Sequence, residues 1–162
     1  QSEPERYSNR DATAGRMVEL IERNQPAVML CHWPGMYCNG TKSGFQAFQS
    51  VVTALASRFA DETIWMKVSE IGRYWAVKET ARIDTVDTGT IEVQSELACN
   101  DFTLEISAAG LHQTPTITHE GKPTELRRVA AKKDLKAGTV AVESGKLFVC
   151  VDLKKGVSKI DC

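Results

Sequence analysis

Ala27-Val28-Met29-Leu30-Cys31-His32-Trp33 is the stretch on which the reading of this chain turns. An unbroken uncharged run, AVMLC, ends on an imidazole and an indole. A short continuous apolar run that follows a helix reads as a buried strand of a parallel sheet. The preceding helix is expected from Thr13 to Asn24, because Met17, Leu20 and Ile21 share one face at i, i+3 and i+4. Asn24-Gln25-Pro26 should end it, since the residue before a proline avoids the α region.

Working outward, a glycine-containing polar loop is expected from Trp33 to Gly44. Phe45, Phe48, Val52, Leu55 and Phe59 then form a helical stripe. Asp61-Glu62 makes a turn, and Thr63 to Met66 reads as a second short strand. Ser69 can cap a third helix running to about Ala81, with Ile71 and Trp75 facing inward. Strands separated by helices imply parallel pairing through right-handed crossovers. Two strands cannot cover their own faces and edges. The sequence therefore predicts that the rest of the sheet lies elsewhere or comes from a partner. The chain opens on Gln1 rather than Met, which is read here as a processed or excised piece.

After Ile83 the pattern changes. Asp84 to Gly89 is polar, and then come TIEVQSEL, DFTLEIS, TITH, TELRRVA, GTVAVES and KLFVCVD. Turn residues separate them at Asn100-Asp101, Glu120-Gly121, Ala137-Gly138 and Ser144-Gly145. Short alternating strands with regular turns predict a small antiparallel β-sandwich-like domain of about six or seven strands. The expected architecture is α/β followed by all-β, divided as residues 1–83 and 84–162.

Composition narrows the partners. The chain has 162 residues, 42% hydrophobic and 25% charged, with a net charge of −1 from 20 basic and 21 acidic residues. Such a balance gives no long-range attraction to nucleic acid or acidic lipid. Arg127-Arg128, Lys132-Lys133 and Lys154-Lys155 read as solvated faces. No apolar run approaches the roughly 20 residues of a membrane span. Neither nucleic acid nor membrane is expected as a partner. The 5 cysteines are odd in number and contain no Cys-x-x-Cys pair, so zinc-ribbon and thioredoxin readings fail. Cys31 and Cys150 sit in apolar runs and read as small buried hydrophobes. Asn39-Gly40-Thr41 fits the N-glycosylation acceptor pattern.

Leu30-Cys31-His32 at the end of AVMLC, the helix from Gly44, the strand TIWMKV and the element Ser69-Glu70-Ile71 occur in an order that resembles the last part of the polysaccharide deacetylase catalytic domain. The resemblance covers about Gly15 to Glu79. It implies a distorted (β/α) barrel, of which this chain would hold the last βα units, and removal of acetyl groups from N-acetylated sugars. In that family a divalent metal, usually zinc, activates water. An aspartate acts as base, and the histidine of Leu-x-His protonates the leaving amine. The resemblance thus implies that His32 is the acid and that Leu30 walls the acetyl pocket. Trp33, next to the acid, is a candidate for stacking on a sugar face. The substrate class favours an extracellular or periplasmic setting.

The residues agree in part. A titratable group at the C-terminal end of a parallel strand is where barrel chemistry sits, and histidine as a residue type can donate a proton near neutrality. The family's Asp-Asp metal motif and its His-x-x-x-His pair do not occur in this sequence. The chain alone is accordingly expected to hold no cofactor and to be inactive. An intact parent would need a missing N-terminal barrel segment or another chain to bring zinc ligands and base. His112 and His119 face opposite sides of any one strand, so a metal pair there is disfavoured. Cys31 and His32 are sequence neighbours whose side chains diverge in a strand. The competing reading is a non-catalytic carbohydrate-binding or assembly module on a deacetylase-like scaffold.

Overall fold

The structure is a computed structural model and describes residues 3–87, 89–107 and 115–162. Two compact units divide the chain, Gln1–Trp65 and Met66–Cys162.

In the first unit a 3₁₀ turn, Glu3–Arg6, precedes three helices: α1 (Arg16–Glu22), α2 (Trp33–Tyr37) and α3 (Ser43–Phe59). The apolar stripe of α3 buries Val51, Ala54, Leu55 and Phe59 against Met17 and Val18 of α1, with Ala12 beneath. Arg58 ties the pair together from the rim. Its guanidinium donates to the Ala12 carbonyl and pairs with Glu22 at 2.7 Å. Both side chains are partly solvated, so the ion pair is worth at most about 1 kcal/mol, and apolar burial dominates.

The barrel expectation is overturned here. Ala27–Cys31 and Thr63–Met66 are irregular, and neither belongs to a sheet. A strand persists through hydrogen bonds to a neighbour, and among the described residues neither segment has one. Ala27 and Met29 turn inward onto the helical cluster, while Val28 and Leu30 point to solvent. The alternation of a strand is thus present without the ladder. Cys31, expected to be buried, is exposed for the same reason.

The second unit begins with α4 (Val68–Thr80). The Glu70 carboxylate accepts the Lys67 backbone N–H at 2.7 Å and closes its first turn. Ser69 lies inside the helix and does not cap it. Tyr74 and Val77 pack onto the core, Ile71 is half-buried on the same face, and Trp75, expected inward, is exposed. Trp75 is 45% exposed, with the Lys78 ammonium 5.3 Å from its ring centre.

Nine strands follow among the described residues: β1 (Arg82–Asp87), β2 (Thr90–Ser95), β3 (Cys99–Ser107), β4 (Thr116–His119), β5 (Lys122–Glu125), β6 (Arg127–Arg128), β7 (Thr139–Glu143), β8 (Lys146–Leu153) and β9 (Gly156–Asp161). They form two sheets, ordered β1-β2-β9-β4-β5 and β3-β8-β7-β6. All pairs are antiparallel except β6 with β7, which is parallel. The described residues are therefore mainly β with four short helices, and no (β/α) barrel portion is formed among them.

Alternation places this core. Leu147, Val149, Val151 and Leu153 of β8 face Val93 of β2 and Ile160 of β9, together with Phe102, Leu104, Leu126 and Val140. Tyr74 brings α4 onto the same cluster, its ring 5.4 Å from that of Phe102. Burial raises the Tyr74 phenol above its ordinary value and also raises the thiols of Cys99, Cys150 and Cys162.

Candidate functional site

The predicted site residues lie in the first unit, around a cleft of about 170 Å³. Its wall is the segment Met29–His32. Its floor is the first half of α3, with Gly44, Ala47, Phe48 and Val51. Gly35 and Met36 of α2 form one end, and Pro4 and Tyr7 the other.

Glycine makes this geometry possible. A Cβ added at Gly44 would lie 1.9 Å from the Gly35 carbonyl oxygen. The start of α3 and the middle of α2 therefore touch backbone to backbone. Pro34 supports the turn into α2, since proline fits the first positions of a helix. Cys38 closes its C-terminus in the left-handed region at φ 46°, and its thiol donates to the Gly35 carbonyl at 2.7 Å.

His32 and Leu30 both line the cleft. Leu30 is 80% exposed, so it borders the cleft without sealing it. His32 is exposed at the residue that precedes α2. Trp33 does not line the cleft. It stands beside it, 76% exposed, and stacks on Tyr37 one helical turn later, with ring centres 5.7 Å apart and planes 15° from parallel. The outer indole face is open.

Tyr7, Met36, Tyr37 and Phe48 were not anticipated in this role. Tyr37 had a readable signal, since it follows Trp33 at i+4. The others come from segments that only folding brings together.

Nowhere among the described residues do three histidine, cysteine, aspartate or glutamate side chains gather, and the cleft itself offers only His32 and Cys31. These residues do not fit a zinc site, and no metal-dependent step is derived from them. His119 bonds through Nδ1 to the Val157 carbonyl at 3.0 Å and lies 3.3 Å from Ser158 Oγ. His112 lies outside the described residues. No helix among them is long and apolar enough to cross a membrane.

No protein-family model, curated protein or solved structure matches this chain.

Proposed function

We propose that the cleft beside His32 binds an N-acetylated sugar. The observation that carries this reading is the conjunction of an exposed indole, a small recess of mixed polar and apolar lining, and an imidazole at its wall. Sugars present apolar C–H faces that lie on aromatic rings, and Trp33, stacked on Tyr37, offers such a ring beside the cleft. A recess of about 170 Å³ is smaller than the roughly 300–1,000 Å³ of drug-sized pockets. It suits one substituent, such as an acetamido methyl lying on Phe48 and Met36, with the sugar ring outside.

Two uses of this site differ in chemistry. In a deacetylase-like hydrolase His32 would protonate the leaving amine, while a companion polypeptide brought the activated water and its base. In a non-catalytic binding or assembly module His32 would only donate a hydrogen bond. The incomplete donor set favours the second use for this chain on its own. Amide cleavage needs an activated nucleophile, and one acid contributes only about 10²–10⁴-fold.

The test is a titration of the protein with an N-acetylglucosamine oligomer, followed by calorimetry. Saturable binding that Trp33→Ala abolishes, with the fold kept, supports the reading. Binding unaffected by Trp33→Ala, or none at all, overturns it. Zinc-dependent release of acetate by residues 1–162 would show instead that the chain is a complete enzyme.

A further inference from the structure

The outer face of the four-stranded sheet is covered, and strand alternation reveals it. Leu147, Val149 and Val151 of β8 belong to the core between the sheets, so Phe148 and Cys150 point the other way. Both are nevertheless buried, as are Thr139 and Ala141 of β7, which stand opposite them in register. Topology names the cover. β6 and β7 are parallel neighbours, so the chain between them must cross a face of the sheet. The core fills the inner face, which leaves the outer one. Along that crossing, residues 129–138, Val129, Ala131, Leu135 and Ala137 are partly buried, while Ala130, Lys132, Asp134 and Lys136 are exposed.

The ends of the crossing are fixed in the sheet. Val129 N–H donates to the Val140 carbonyl at 2.8 Å, and Gly138 N–H to the Cys150 carbonyl at 2.9 Å. Between those ends, side chains tie it down. Lys132 Nζ lies 4.7 Å from the centre of the Phe148 ring. The Ala137 N–H donates to Asp101 Oδ1 at 2.8 Å, and the same oxygen is 3.9 Å from Cys150 Sγ. Asp101 is placed for this by the bulge in β3. Its backbone is left-handed at φ 51°, and its own N–H donates to the Asp152 carboxylate at 3.1 Å. The bonds from Asp134 N–H to the Ala131 carbonyl and from Leu135 N–H to the Lys132 carbonyl hold the crossing's own turn and not the sheet. We propose that residues 129–138 are a strap that opens as a unit and that the Asp101 carboxylate is its latch. Release of the latch uncovers the Phe148 ring and the Cys150 thiol while the core stays closed. None of these residues belongs to the unit that holds the sugar cleft.

Timed alkylation of the native protein, with each cysteine's peptide followed by mass spectrometry, tests it. Cys99 lies in the core and reports unfolding of the whole unit. Asp101→Gly keeps the left-handed backbone and removes the latch. It should speed Cys150 labelling about 10–100-fold, the worth of a hydrogen bond to a charged acceptor, and leave Cys99 labelling within about twofold. Ala137→Pro removes the donor instead. Residues 136–139 form a turn closed by the Thr139 N–H on the Lys136 carbonyl at 3.0 Å, with Gly138 at φ 83°, a geometry that accepts proline at position 137. This variant should speed Cys150 to the same degree, and the double variant should be no faster than either alone. Cys150 labelling unchanged in both single variants would overturn the latch. Cys99 and Cys150 accelerating together would overturn the strap, since the whole unit would then be opening. Effects that multiply in the double variant would show that Asp101 and Ala137 act separately, which also overturns the proposal.

Discussion

Gly44→Ala probes the geometry that creates the cleft. Gly44 is the second residue of α3, and an alanine Cβ there would stand 1.9 Å from the Gly35 carbonyl oxygen, 2.8 Å from the Gly35 carbonyl carbon and 3.0 Å from Met36 Cα. All three are backbone atoms, so no side-chain rotation relieves the contact. Carbon–oxygen contacts begin near about 3.3 Å, so α2 would have to retreat by roughly 1.4 Å. Overpacking of this kind costs about 1–3 kcal/mol, and a clash this deep belongs at the upper end. Alanine returns up to about 1 kcal/mol through its helix propensity. The net expectation is a loss of about 2–3 kcal/mol, combining the overpacking cost with that return. It should appear as a lower urea midpoint in helical circular dichroism. Amide chemical shifts should move across Trp33–Tyr37, and sugar binding should weaken. A variant at least as stable as wild type, with unshifted α2 resonances, would refute the backbone contact and the cleft built on it.

Other expectations follow from burial. Leu153→Ala should cost about 2–5 kcal/mol by the cavity it leaves, whereas Leu30→Ala should stay within about 0.5 kcal/mol; paired denaturation curves check both. Cys31 is exposed and should react quickly with a thiol reagent, while Cys99 and Cys150 are buried and protected until the second unit unfolds, as mass spectrometry of timed alkylation would show. Burial raises the folded-state values of Cys99, Cys150, Cys162 and Tyr74, so the unfolded chain loses these protons at lower pH than the folded one. Stability from these groups is complete below the ordinary thiol value of 9.0 and should fall as pH rises above it; a flat alkaline profile would contradict the burial. In any parent complex that releases acetate, His32→Ala should lower turnover strongly and leave bound metal unchanged; loss of metal would show that the residue is a ligand and not an acid.

The helices were legible where an amphipathic stripe met a packed neighbour. The stripe from Phe45 to Phe59 gave α3 almost to the residue, and the face of Met17 and Ile21 gave α1 a shorter helix than expected. Ala27–Cys31 and Thr63–Met66 were misread because hydrophobic pattern reports what side chains prefer. It does not report whether the backbone finds a partner. AVMLC keeps the in–out alternation of a strand while pairing with nothing among the described residues. The face of α4 was misjudged between two aromatic neighbours, and Tyr74 rather than Trp75 turns inward. β1 escaped notice because every side chain in it is exposed, so no alternation marks it. At the site, Leu30 and His32 were visible as neighbours in sequence. The floor supplied by Phe48 and Val51 was not, since it depends on the backbones of Gly35 and Gly44 meeting, which no local pattern announces.

Discrimination between an N-acetylglucosamine oligomer and the same oligomer with free amines tests the sugar reading most directly. Calorimetric titration of both should show the acetylated ligand bound and its de-N-acetylated counterpart bound at least about tenfold more weakly, because the free amine loses the methyl contact and brings an ammonium charge to a cleft whose lining residues include no carboxylate. Equal affinity for the two, or preference for the free amine, would contradict the assignment of the cleft to an acetamido group.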